Sequence, residues 1–128
     1  MSTVPETLSY TEEHEWITQP GEDGIVTIGI TAHAADALGD IVYLSLPQEG
    51  ASVESGEPCG EAESTKSVSD VYAPVSGEVV AVNGSVEDDP GIINADPYGE
   101  GWLFKIRTSG DSGDLLDAPA YSKLIEEA

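Results

Sequence analysis

Cationic side chains are scarce in this sequence. The 128-residue chain has four Lys and Arg against 25 Asp and Glu, a formal charge of −21 with His neutral. Affinity for nucleic acid comes mostly from Lys and Arg neutralising phosphates, so the balance argues against a nucleic-acid partner. Adsorption to an anionic membrane is disfavoured for the same reason. Thiols are nearly absent as well: Cys59 is the one cysteine, which rules out an internal disulfide and any multi-thiolate zinc or iron–sulfur site. No apolar run approaches the ~18 residues of a membrane span. Met1-Ser2-Thr3-Val4-Pro5-Glu6 has neither the basic region nor the apolar segment of a secretory signal. The expectation is a soluble cytoplasmic monomer, one domain over residues 1–128, long enough to bury a single core.

Apolar residues come in strand-length pieces punctuated by the 14 Gly and 8 Pro, which predicts a mostly β domain. Strands are expected at Gly24–Ile30, Asp40–Leu46, Cys59–Thr65, Val68–Tyr72, Glu78–Val82 and Trp102–Arg107. Period-two alternation places Val42, Leu44 and Leu46 on one face, and Trp102, Phe104 and Ile106 inward with Lys105 and Arg107 outward. Thr31 is suited to cap a short helix near 31–38, whose Ala34, Ala37 and Leu38 share a face and which Gly39 stops. Ser109–Asp114 reads as a loop. Beyond it Asp117, Pro119, Tyr121, Leu124 and Ile125 predict a C-terminal helix of roughly two turns, with Glu126 and Glu127 frayed. Gly39-Asp40-Ile41-Val42 and Gly77-Glu78-Val79-Val80 form a faint internal echo, each opening a strand. Short strands with regular turns suggest a flattened barrel or sandwich of two sheets.

Three lysines are present, in different settings. Lys105 on an outer strand face and Lys123 on the terminal helix read as solvated charges. Lys66 lies in Glu63-Ser64-Thr65-Lys66-Ser67-Val68-Ser69-Asp70, between two predicted strands, and so at a hairpin tip among small hydroxyl residues. Read from composition alone it is an exposed turn lysine. A Schiff-base role would need an apolar pocket or neighbouring cations, whereas Glu63 and Asp70 favour the ammonium form. A covalent attachment point fits better. Gly110-Asp111-Ser112-Gly113 is like the tetrapeptide around a serine-protease nucleophile, but the chain is far too short for that two-barrel fold. His14 and His33 are the available general bases, and nothing in the sequence brings them to a serine. Glu87-Asp88-Asp89 lacks the Gly and terminal Glu of a calcium loop. Neither common glycine-rich phosphate motif is present.

The segment around Lys66 resembles the lipoyl-attachment signature of the glycine cleavage system H protein family. Tyr10-Thr11, His14-Glu15-Trp16, Gly29-Ile30-Thr31, Leu38-Gly39-Asp40-Ile41-Val42-Tyr43 and Leu46-Pro47 are similar to successive family blocks, in order. Glu63 to Val79, Asn83, and Ile93 to Leu103 continue the match, which covers about residues 8 to 126. The resemblance implies a lipoyl-type barrel-sandwich hybrid with lipoic acid in amide linkage on Lys66. It implies a non-catalytic carrier that takes the aminomethyl group of glycine from the pyridoxal-phosphate enzyme glycine decarboxylase. That group then passes to tetrahydrofolate on aminomethyltransferase, and dihydrolipoamide dehydrogenase reoxidises the arm. A lipoate-attaching enzyme is the remaining implied partner. By position, Glu15 and Asp70 match the acidic residues that would hold the amine of the loaded arm. Ser67 stands where Ala is common, and Ala37 where some members carry a histidine of the cleft.

Other readings compete. A lipoyl relay, donating its lipoate to 2-oxo acid dehydrogenases, shares every one of these features. A biotin carrier would have Met on both sides of the lysine, where this chain has Thr65 and Ser67. A dehydrogenase lipoyl domain usually has Asp before the lysine and a larger chain. A hydrolase acting through Ser112 is the weakest alternative. The charge exceeds what a carrier needs and suggests a salt-rich cytoplasm, against the plainer alternative of an acidic bacterial or organellar protein.

Overall fold

A computed structural model describes residues 5–18, 23–112 and 115–127. Among the described residues nine strands and four helices follow one another: β1 (Ser9–Tyr10), β2 (Glu15–Ile17), β3 (Ile25–Ile30), α1 (Ala32–Leu38), β4 (Ile41–Ser45), β5 (Ser52–Val53), β6 (Pro58–Ser64), β7 (Val68–Tyr72), β8 (Val75–Val82), α2 (Gly84–Asp88), α3 (Gly91–Ala95), β9 (Phe104–Ser112) and α4 (Ala118–Glu127). They form a six-stranded sheet in the order β1-β2-β3-β9-β8-β5 and a three-stranded sheet in the order β4-β6-β7. Every pairing is antiparallel. The predicted two-sheet β architecture with a short helix near 31–38 and a C-terminal helix is therefore what the chain adopts.

The sheets meet over a core of Val26, Ile28, Leu44, Ala62, Val71, Val79, Phe104 and Ile106, all buried. Burial of this apolar surface is the main force closing one sheet on the other. A second cluster, Tyr10, Trp16, Ala118 and Tyr121, fastens α4 to the N-terminal strands. There the rings of Tyr10 and Tyr121 stack at 4.7 Å and 11°, and Asp117 Oδ1 caps α4 by accepting from Ala120 N at 3.0 Å.

Several expectations need correction. Val42, expected to share a face with Leu44 and Leu46, is 51% exposed, whereas Ile41 and Leu44 are buried. A bulge between Ile41 and Tyr43 adds a residue to β4 and breaks the alternation. Ser109–Ser112 belongs to β9, where Ser112 pairs with Val75; Gly113 and Asp114 lie outside the described residues. Backbone pairing with β8 overrides a polar composition there. Helix α4 has ten residues and includes Glu126 and Glu127. Trp102 precedes β9 rather than opening it, and Lys105, expected to be solvated, sits 5.2 Å from the Trp102 ring centroid. Gly77 lies inside β8, not at its start; a Cβ there would collide with Arg107 O of β9.

Candidate functional site

The hairpin β6–β7 is the long arm of the smaller sheet, with Glu63 opposite Val68 as its last pair. Ser64 organises the apex beyond that pair. Its backbone N donates to Ser67 O at 2.8 Å, and its hydroxyl accepts from Lys66 N at 3.1 Å and Ser67 N at 3.0 Å. The Ser64 hydroxyl also donates to Ser67 O at 3.2 Å. These bonds satisfy the turn's amides without a glycine and leave Lys66 exposed at the tip. Thr65 N donates to Asp40 O at 3.2 Å, tying the apex to the α1–β4 connection. Gly39 is required at that junction. Its φ is +87°, and a Cβ would come within 3.0 Å of Lys66 Cε. The lysine stem thus lies against the end of α1, at a position where any larger residue would push it away.

From this apex a cleft of about 340 Å³ runs between α1 and β7. Ala34, Ala37 and Leu38 of α1 line one wall and Ser67 to Val71 the other, with Ile30, Ala62, Glu13, His14 and Glu15 completing the lining. The shared face predicted for α1 thus borders the cleft, while Ala35 points to the core. Thr31 caps the helix as expected, accepting from Ala34 N at 3.2 Å.

Both candidate carboxylates border this cleft, but their settings differ. Asp70 is exposed on β7, an edge strand of the smaller sheet. Glu15 is 1% exposed; its Oε2 accepts from Tyr72 N at 2.6 Å and its Oε1 from the Thr11 hydroxyl at 3.3 Å. Burial raises its pKa from 4.5 to about 8, against the pull of the Tyr72 and Thr11 hydrogen bonds. Tyr72 ends β7, four steps or about 13 Å from Val68 at the usual strand rise of ~3.3 Å. Glu15 therefore marks the end of the cleft away from the lysine.

A polar chain invisible in the sequence holds the wall in place. His14 takes a left-handed backbone, φ 68°, and its Nδ1 is 2.8 Å from the Tyr121 hydroxyl, which is 2.7 Å from Thr31 Oγ1. The two histidines meet each other, ring centroids 4.9 Å apart, rather than a serine. Burial and the His33 ring lower the His14 pKa. Spacing offered no signal for the contact with Tyr121, 107 residues away. Cys59 is half-buried, and burial, with the Glu15 carboxyl behind it, pushes its thiol up to about 12. A thiol that keeps its proton is a poor nucleophile at neutral pH. A larger, more open groove of about 800 Å³ over β5, β8 and Arg107 contains none of the candidate site residues.

Two packed sheets that hold one lysine on a pinned hairpin apex, with a cleft leading away from it, define a lipoyl-type carrier domain. Comparison with known proteins narrows the class. Residues 8–128 match the family model described as glycine cleavage H-protein. The chain is 51% identical to the glycine cleavage system H protein of Salmonella arizonae, over 99% of each chain. It is 55% identical to that of Streptomyces avermitilis, over 93% of this chain and 94% of the other. A crystal structure of a glycine cleavage system H protein from Mycobacterium marinum superposes with a TM-score of 0.92 at 46% identity, covering 96% of this chain and 99% of the other. The chain belongs to the glycine cleavage H-protein family.

Proposed function

We propose that this protein is the lipoylated carrier of the glycine cleavage system, with lipoate in amide linkage on Lys66. The observation that carries the reading is the placement of Lys66 at the exposed, Ser64-pinned apex of β6–β7, where the cleft ending at Glu15 begins. Lipoate supplies a dithiolane, chemistry that the chain's single thiol, protonated and half-buried, does not offer. The residues present fit such a group. Ile30, Ala34, Leu38 and Val71 offer apolar walls to a hydrocarbon arm, and carboxyl groups wait where a cationic amine would lie.

The protein's own part is to orient and shield. A rigid apex on a long tether presents the cargo to successive enzymes at raised effective concentration. Those enzymes are glycine decarboxylase, aminomethyltransferase and dihydrolipoamide dehydrogenase, and the carrier itself contributes no catalytic group. Glu15 and Asp70 steady the loaded arm through hydrogen bonds to its amine, worth about 1.5–3 kcal/mol at Glu15, which is shielded from water, and less at the exposed Asp70. A buried carboxyl titrating near 8 is protonated before the amine arrives. An ammonium brought against it stabilises the carboxylate and drives the proton off, so docking of the arm creates the ion pair.

The test is peptide mass mapping after co-expression with a lipoate ligase. The adduct is expected on Lys66 alone, and Lys66→Arg should fold normally yet support no glycine–carbon dioxide exchange with glycine decarboxylase. An adduct on Lys105 or Lys123, or none with an active ligase, refutes the assignment.

A further inference from the structure

Three large apolar side chains stand in solvent on the sheet that carries the lysine. Val42, Tyr43 and Val68 are 51%, 59% and 55% exposed. Pairing sets Tyr43 opposite Glu63 and Glu63 opposite Val68, so Tyr43 and Val68 flank Glu63 in one row across one face of the sheet. Val42 joins them because the β4 bulge turns two consecutive apolar residues outward. Strict alternation would have buried one of the pair.

The row adjoins the apex. Asp40, two residues before Val42, accepts from Thr65 N, and Gly39 supports the Lys66 stem. Carboxylates accompany it: Glu63 at its centre, Asp40 beside it, and Glu61 and Asp70 paired in the next row on the same face. An isolated exposed apolar residue is ordinary. A cluster rimmed by charge of one sign, next to the residue that must be modified, has the anatomy of an interface.

We propose that this face docks the lipoate-attaching enzyme, which meets it with an apolar centre ringed by Lys and Arg; the proposal rests on the carrier reading of Lys66. Geometry selects this partner over those that serve the loaded arm. An enzyme acting on the unmodified side chain must bring its active site to Nζ, at the end of a four-carbon stem, so its footprint covers the apex and the row beside it. Enzymes that serve the loaded arm act on atoms at the far end of the lipoyl chain, well beyond Nζ, and need no contact with the row itself. Charge selects the partner's rim, since a surface of net charge −21 steers cationic surfaces towards it. In the step so positioned, the neutral Lys66 amine attacks the carboxyl carbon of a lipoyl adenylate. The amide C–N bond forms, the C–O bond to phosphate breaks with AMP leaving, and the surplus amine proton passes to a base of the enzyme.

The experiment follows lipoylation of the unmodified protein by intact mass, with a lipoate ligase, lipoate and ATP. Val42→Ser/Tyr43→Ser should lower kcat/KM at least tenfold, chiefly through KM, with circular dichroism unchanged. Driven to full lipoylation by long incubation, the same variant should support glycine–carbon dioxide exchange at the wild-type rate. Val42→Ser alone serves if the double variant unfolds, with a smaller rise in KM expected. Unchanged kcat/KM, or exchange that falls in step with lipoylation, overturns the assignment of this face. Wild-type protein that stays unmodified, with a ligase proven active on another lipoyl domain, overturns the carrier reading itself.

Discussion

Glu15→Gln tests the electrostatics of the cleft without touching the lysine. Gln keeps the shape: its carbonyl can accept from Tyr72 N, and its amide can donate to the Thr11 hydroxyl that now donates to Glu15. Only the titration is removed. A carboxyl with a folded pKa of about 8 against 4.5 unfolded holds its proton more tightly in the folded protein. Below about pH 4.5 both states are protonated and the group is neutral to stability. Between 4.5 and 8 only the unfolded chain has ionised, so wild-type stability falls by about 1.4 kcal/mol per pH unit from this group, and above 8 the loss is complete. At pH 7 the interval is 7 − 4.5 = 2.5 units, or about 3 kcal/mol; by pH 9 all 3.5 units have acted, or about 5 kcal/mol. The variant should therefore gain on the wild type as pH rises. Urea unfolding at a fixed 1 M potassium chloride, across pH 5 to 9, isolates this difference because the salt screens surface carboxylates equally in both proteins. Parallel stability curves, separated by a constant, would refute the buried, protonated Glu15. Aminomethyl-loaded Glu15→Gln should in turn release formaldehyde and ammonia faster than the wild type.

Ser64→Ala removes the hydroxyl that accepts from Lys66 N and Ser67 N. A loss of about 1–3 kcal/mol is expected, with faster hydrogen exchange at both amides; unchanged exchange at the apex would contradict the pinning. Gly29→Ala would set a Cβ 2.6 Å from the Trp16 indole, whose Nε1 donates to Pro97 O at 2.9 Å. Overpacking of about 1–3 kcal/mol should appear as a lower Tm with altered tryptophan fluorescence, and an unchanged Tm counts against the packing described. For the charge of −21, melts in 0.1 M and 2 M potassium chloride decide: the salt-rich reading requires a substantial rise in Tm, because the Debye length falls from ~10 Å to below ~3 Å.

The strands that pair along most of their length were legible, because period-two patterning and Gly or Pro punctuation are local. What failed was set by partners elsewhere in the chain. The polar run Ser109 to Ser112 is strand because β8 runs beside it, and no property of those four residues announces that. Helices α2 and α3 have five residues each and bury one apolar side chain apiece, Val86 and Ile93. A single buried residue has no period to detect. The bulge in β4 inserted one residue and reversed the facing of Val42, as a one-residue slip must when side chains alternate.

The site divides along the same line. The placement of Lys66 at a hairpin apex was legible because its whole setting, Ser64 to Ser67, is contiguous and makes its own hydrogen bonds. Glu15 and Asp70 were two carboxylates among 25, singled out through family resemblance alone, and the sequence gives no reason to treat them differently. Three-dimensional contacts supply one. Glu15 lies on a strand with neighbours on both sides, β1 and β3, after a His14 whose left-handed turn is backed by Tyr121 of α4 and Thr31 at the start of α1. Asp70 lies on an edge strand open to water. The same functional group is thus buried at the far end of the cleft, where desolvation raises its pKa, and open to water on the β7 wall. Burial of the first depends on contacts distant in sequence, because α4 backs the His14 turn that precedes it.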